Sequence, residues 1–122
     1  MKTYIKVSNV KEGYHFYKDA PEEVSFLRNT HRHLFKVHST IEVFSTDREL
    51  EFFCVQREID KLLTTLFDTN TNNSCEFMCM YLIENLQLKY GTHRRYIIEV
   101  SEDGENSAIV DTEIGTVTSE KV

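Results

Sequence analysis

The sequence predicts an α+β fold in which a four-stranded antiparallel sheet carries two helices on one face. Apolar and polar residues alternate in segments near both ends of the chain, as they do in half-buried strands. Between those segments, apolar residues recur at helical spacing in two successive stretches. The chain has 122 residues, which suits a single domain over residues 1–122.

The first half of the chain predicts two strands and a shorter third one. Residues 2–10 mix polar and β-branched side chains, and a polar loop is expected over 18–30. The segment from His31 to Phe44 predicts the second strand, because its apolar residues fall on one parity. Leu50 to Phe53 predicts the further short strand. The residues that share the parity are Phe35, Val37, Ile41 and Val43.

The middle of the chain predicts two helices, over about 55–67 and about 74–89. Asn73 and Glu76 have the spacing of a capping pair at the start of the second helix. Gly91 is a suitable stop, since glycine commonly follows the last helical turn. The two helices follow each other directly, which places them on the same face of the sheet.

The last third predicts two short strands, Tyr96 to Val100 and Ser107 to Asp111, joined by a turn over 102–106. The predicted order of elements is therefore ββ(β)ααββ. Residues 112–122 are polar, and we expect them to form a loose tail.

Charge and hydropathy exclude several classes of partner. The formal net charge is −6, whereas a general nucleic-acid surface needs clustered Lys and Arg. No apolar run approaches the roughly 20 residues that cross a bilayer. Lys2, Lys6 and Lys11 interrupt any N-terminal apolar signal segment. We expect a cytoplasmic protein with no nucleic-acid or membrane partner.

The three cysteines are Cys54, Cys75 and Cys79, and no pair has Cys-x-x-Cys spacing. An odd number without a secretion signal indicates reduced thiols. Cys75 and Cys79 lie one helical turn apart among apolar residues. We therefore expect both in the core, where free cysteine is commonly buried.

Two of the five histidines form His31-x-His33 at the head of the second strand. Side chains at i and i+2 of a strand share a face, with Cβ atoms about 6.5–7 Å apart. That separation suits one zinc ion, and His15 at the end of the first strand is the candidate third ligand. Three histidines leave one coordination position open, as in catalytic zinc sites. Surface or core imidazoles have the same spacing in many strands.

Four features, in this order, resemble the 6-pyruvoyl- and 6-carboxy-tetrahydropterin synthase family, which has the tunnelling fold. His15 precedes His31-x-His33 as a first-strand histidine precedes His-Gly-His in that family. The segment SCEFMCMYLIENL (74–86) stands in place of its Thr-Ser-Glu-Asn-type helix start. IEVSED (98–103) stands in place of its Val-x-Val-x-Glu-Thr strand end. The resemblance covers about residues 4–111.

The resemblance implies a zinc cofactor bound by His15, His31 and His33. It implies that Glu102 holds the N–H and amino edge of a pterin ring, since a carboxylate accepts two parallel hydrogen bonds. Glu76 also matches a family glutamate, although helix capping explains it equally well. The family forms hexamers of two stacked trimers, in which sheets join into a barrel and lose their free edges. We therefore expect a homo-oligomer of this kind.

The sequence departs from the family pattern mainly at residues that would transfer protons. Leu27 stands where the family has its catalytic cysteine, and a leucine carries no proton. Asp68 and Thr69 stand where it has an Asp-His pair, so the histidine acid/base is missing. Glu23 is a candidate replacement base if its loop is rerouted, and Asp68 is a second. Arg32 replaces the glycine between two metal ligands.

Three functions remain open at this point. The first is a divergent 6-carboxytetrahydropterin-type lyase of 7-deazaguanine and queuosine synthesis, acting on a pterin of the dihydroneopterin triphosphate class. The second is an inactive protein that binds a pterin, purine or nucleotide. The third is a zinc enzyme with an altered reaction. Losing two proton-transfer groups favours a slow or absent reaction, since each typically contributes about 10²–10⁴-fold.

Overall fold

The computed structural model describes residues 1–69 and 72–113. Its sheet has the order β1-β2-β3-β4, and every neighbouring pair is antiparallel. Helix α1 packs against β1, and helix α2 packs against β3 and β4. The α+β class and the four-stranded antiparallel sheet with two packed helices are thus confirmed. The elements are β1 (Thr3–His15), β2 (His31–Val43), α1 (Phe52–Thr69), α2 (Cys75–Tyr90), β3 (Tyr96–Glu102) and β4 (Asn106–Asp111).

The alternating apolar residues of β2 face the core, as the sequence predicted. Phe35, Val37 and Ile41 are fully buried, and they share one core with both helices. β1 contributes Gly13, where an added Cβ would lie 2.8 Å from the Phe67 ring. Any larger residue there would force the Phe67 ring to shift.

The short strand expected from Leu50 to Phe53 is wrong, because α1 begins there. Glu51 Oε1 accepts hydrogen bonds from the backbone N–H groups of Phe53 and Cys54, at 3.0 and 3.1 Å. The carboxylate thus satisfies donors that the first helical turn leaves free. Phe52 and Phe53 are exposed, so they give the segment an apolar character without belonging to a sheet. The observed order is therefore ββααββ.

The predicted cap of α2 is wrong by one residue. Ser74 is the N-cap, and its Oγ accepts from the Phe77 N–H at 3.0 Å. Asn73 instead turns its backbone carbonyl toward β1 and is buried. Gly91 ends the helix with a φ of 103°, as expected. Cys79 is buried in the core, whereas Cys75 is only partly buried.

The strands β3 and β4 are slightly longer than expected, so that Glu102 ends β3 and is not a turn residue. The connecting turn contains Asp103 and Gly104, with φ values of 58° and 79°. The loop expected over 18–30 contains a short 3-10 helix, Glu22–Arg28. Most of the expected tail, residues 114–122, lies outside the described residues.

Within the described part of the chain, no helix combines the length and apolar character needed to cross a bilayer.

An ion pair between Glu49 and Arg94 joins the end of β2 to the start of β3. Glu49 accepts hydrogen bonds from the backbone N–H groups of Phe44 and Ser45, at 2.6 and 2.8 Å. Its other oxygen accepts from Arg94 Nη1 at 2.7 Å. Burial alone would raise the pKa of Glu49, but the backbone donors and the guanidinium together lower that pKa from 4.5 to about 2.

We expect Glu49→Gln to lower the free energy of unfolding at pH 7 by about 1–3 kcal/mol, because the amide turns an N–H group toward a donor. The folded-state pKa lies below the unfolded one, so this stabilisation is present above about 4.5 and is lost as pH falls toward 2. Urea unfolding at pH 7 and at pH 3 measures it. The exposed Glu84→Gln is the control. A difference that grows on acidification would contradict the assignment.

Candidate metal centre

The pairing of β1 with β2 brings three histidines together at one end of the sheet. His15, the last residue of β1, lies opposite His31, the first residue of β2. His33 follows two residues later, so its side chain points to the same face. All three belong to the parity that faces the helices.

The three rings are in mutual contact. Their centroids lie 4.5 Å apart for His15 and His31, 5.2 Å for His15 and His33, and 5.0 Å for His31 and His33. One nitrogen from each ring lies within 4.8 Å of the others. Tetrahedral zinc needs nitrogens about 3.4 Å apart, at bond lengths of about 2.0–2.1 Å. Small rotations of the rings therefore close the set around an ion.

Each of the three rings has its Nδ1 beside an oxygen that only accepts hydrogen bonds. His15 Nδ1 lies 2.8 Å from the Asn73 carbonyl, and His31 Nδ1 lies 2.8 Å from the Asn29 carbonyl. His33 Nδ1 lies 2.7 Å from Asp103 Oδ2. Such oxygens require a proton on Nδ1, so a neutral ring has an unprotonated Nε2. This is the outer arrangement found around metal-binding histidines.

His15 supplies the test of whether a metal fits. The residue is only 6% exposed, and its buried Nε2 has no hydrogen-bond partner. Burial is the main reason why the pKa of His15 is lowered, against the opposing effects of the Asn73 carbonyl and Glu102. The ring is therefore neutral near pH 7, with a buried lone pair on Nε2. A cation at the centre of the cluster satisfies that lone pair.

Glu102 lies at the edge of the histidine cluster. Its Oε2 is 3.1 Å from His15 Nε2, and its Oε1 is 3.8 Å from His33 Nε2. An unprotonated Nε2 and a carboxylate oxygen are both acceptors, so the two groups form no hydrogen bond. A carboxylate beside the three imidazoles makes the centre of the cluster more favourable for a cation.

An open cleft of about 870 Å³ adjoins the cluster. Leu27 lines it, as do His15, His31 and Glu102, whereas none of the described lining residues is a lysine or an arginine. Most of the described lining residues have polar side chains. Beyond the histidines and Glu102, these include Ser74, Glu76, Asn106 and Ser107.

The candidate proton-transfer residues lie elsewhere. Glu23 is exposed on the 3-10 helix, and Asp68 and Thr69 are exposed at the end of α1. None of them lines the cleft. Arg32 pairs with Glu12, its neighbour on β1, on the face of the sheet opposite to the metal ligands. Its charge is therefore turned away from the cluster.

Asp103 and the carbonyls of Asn29 and Asn73 are functional groups that sequence reasoning missed. A backbone carbonyl leaves no signal in a sequence, because every residue has one. Asp103 had a weak signal, since it is an acidic residue next to Glu102 at the end of a strand.

No model of a known protein family and no curated protein sequence matches this chain.

We expect the chain to bind one divalent transition-metal ion, and His31→Ala/His33→Ala to abolish that binding, because the pair removes two of three ligands. Elemental analysis after purification without chelators measures the metal content. His38→Ala is the matched control, since His38 lies on β2 but bonds to Ser8, on the other face. Metal retained by the double variant would contradict the assigned ligands.

Proposed function

We propose that this chain binds zinc through His15, His31 and His33 and holds a pterin in the adjoining cleft, as a divergent synthase of the 6-pyruvoyl- and 6-carboxy-tetrahydropterin type. The proposed ligand belongs to the dihydroneopterin triphosphate class. A cytoplasmic place in 7-deazaguanine or queuosine synthesis is part of the same proposal. The sequence resemblance supplies the reaction class, and the site geometry supports the metal.

The observation that carries the proposal is the shared direction of the three imidazoles. Every Nδ1 is committed to an oxygen acceptor, and nitrogens from the three rings converge within 4.8 Å. Histidine clusters formed for packing alone have no reason to orient all three rings in this way. The open cleft beside them leaves room for a ligand, as a catalytic zinc site requires.

Zinc would supply a Lewis acid at this position. The residues of the chain do the remaining work. Glu102 lies between the cluster and the cleft, so its two oxygens can accept hydrogen bonds from the N–H and amino edge of a ring. The cleft has two carboxylates, Glu76 and Glu102, which suit the donor-rich ring of such a ligand.

A second candidate function is binding without turnover, in which the ligand is a pterin, purine or nucleotide. Leu27 lines the cleft at the position of the expected cysteine. Glu23, Asp68 and Thr69 are exposed outside the cleft. The residues at the family's proton-transfer positions thus supply no proton carrier to the cleft, whose own thiol and second carboxylate are Cys75 and Glu76.

A turnover assay separates the two functions. Zinc-loaded protein is incubated with dihydroneopterin triphosphate, and products are resolved by chromatography, with His31→Ala/His33→Ala as the control. Product formation that depends on both histidines supports the synthase. Binding of the pterin without any product supports the second function.

We expect Glu102→Gln to weaken pterin binding by about 10–100-fold, because one acceptor oxygen becomes a donor that faces another donor. Titration calorimetry with a pterin panel measures the affinity. Zinc content should stay unchanged in this variant, which separates the ring anchor from a metal ligand. Loss of zinc from Glu102→Gln would show that the carboxylate coordinates the metal instead.

We also propose the homohexamer of two stacked trimers. The sheet order leaves β1 and β4 as edges, and an exposed 13-residue edge such as β1 is a ready pairing surface. Light scattering should therefore give a mass near six times 14.4 kDa. A monomer that persists at all concentrations would contradict the barrel arrangement.

A further inference from the structure

We infer that Asp103 is a positioning residue, which fixes the His33 ring so that its Nε2 faces the metal. The inference rests on the proposed metal site and adds a residue that works through a ligand. Asp103 follows Glu102 directly in sequence, yet the two carboxylates face different partners. Glu102 lies beside the converging nitrogens, and Asp103 lies behind the His33 ring.

Both oxygens of the Asp103 carboxylate are engaged. Oδ2 lies 2.7 Å from His33 Nδ1, and Oδ1 accepts from the Leu34 N–H at 2.9 Å. The Asp103 N–H in turn donates to the Leu34 carbonyl at 2.8 Å. Two hydrogen bonds of the carboxylate and one of the backbone therefore hold Asp103 against two consecutive residues of β2. A side chain held this way cannot swing away from the ring without breaking the turn.

The backbone of Asp103 has the left-handed conformation that this contact needs. Its φ of 58° is uncommon for residues other than glycine, and aspartate and asparagine are enriched there. The last pair of the β2–β3 ladder is Phe35 with Glu102. The chain must turn immediately afterwards, and this turn carries the Asp103 side chain back over β2 toward His33.

His33 differs from the other two ligands in the acceptor behind its ring. His15 and His31 face backbone carbonyls, whereas His33 faces a carboxylate. A carboxylate is the stronger acceptor, so it fixes the proton on Nδ1 and leaves the Nε2 lone pair free to face the metal. His33 is also more exposed than His15, with 20% against 7% of its side chain accessible. Packing restrains its ring less, so the hydrogen bond matters more.

The test compares Asp103→Ala and Asp103→Asn with Glu105→Gln, an exposed residue of the same turn. Zinc affinity is measured by competition with a chromogenic chelator, on full-length protein. We expect Asp103→Ala to weaken zinc binding by about 10–100-fold. Asp103→Asn keeps one acceptor oxygen and tolerates the left-handed backbone, so its loss should be smaller. Glu105→Gln should bind zinc as the unaltered protein does.

A second readout reports the ring itself. Long-range ¹⁵N–¹H correlation spectra of the metal-free protein distinguish the two imidazole tautomers. His33 should be protonated on Nδ1 in the unaltered protein, and Asp103→Ala should release that preference while His15 keeps it. A role confined to folding would change the unfolding midpoint without changing the tautomer of one ring.

The outcomes separate this inference from the proposed function. An unaltered zinc affinity and an unaltered His33 tautomer in Asp103→Ala overturn the inference alone. If Asp103→Ala fails to fold, the same result in Asp103→Gly overturns it, because glycine adopts the φ of 58° and has no acceptor side chain. An unaltered protein that binds no zinc overturns both the metal site and the role of Asp103.

Discussion

The antiparallel pairing of β1 with β2 is the constraint on which the metal centre depends. Thirteen consecutive pairs fix its register, from Thr3 with Val43 to His15 with His31. A shift by one residue would turn the histidines of one strand to the opposite face of the sheet. The apolar residues of β2 make that shift costly, since Phe35, Val37 and Ile41 would leave the core together. Core packing thus holds the ligands in place.

The connections at the ends of the strands orient the three imidazole rings. At this end of the sheet, the chain segments before β2, after α1 and after β3 all approach the histidines. They supply the Asn29 carbonyl, the Asn73 carbonyl and the Asp103 carboxylate, one to each ring. The sheet therefore fixes the position of the three imidazoles, and three separate connections fix their orientation. Substitutions in those connections are expected to alter metal affinity while the strands stay intact.

Much of the fold follows from local patterns, because alternating and helical periodicities report which side of an element is buried. The prediction from periodicity was wrong where apolar residues are exposed. Phe52 and Phe53 are exposed, and they gave the first turn of α1 the composition of a strand. The histidine cluster was predictable in part because His31-x-His33 is a local spacing. The oxygens behind His15 and His33 belong to residues far away in sequence, and the one behind His31 is a backbone carbonyl two residues earlier. A backbone carbonyl has no signal in a sequence, and a contact between residues far apart in sequence has no local one.

X-ray absorption at the zinc edge tests the central claim most directly, because it reports the ligands of the bound ion. The account predicts a first shell of nitrogen and oxygen atoms at about 2.0–2.1 Å, with the outer scattering of three imidazoles. His33→Ala should reduce that imidazole scattering by one ring. Sulfur at about 2.3 Å would assign the metal to cysteines instead. A first shell without imidazole scattering would contradict the histidine site.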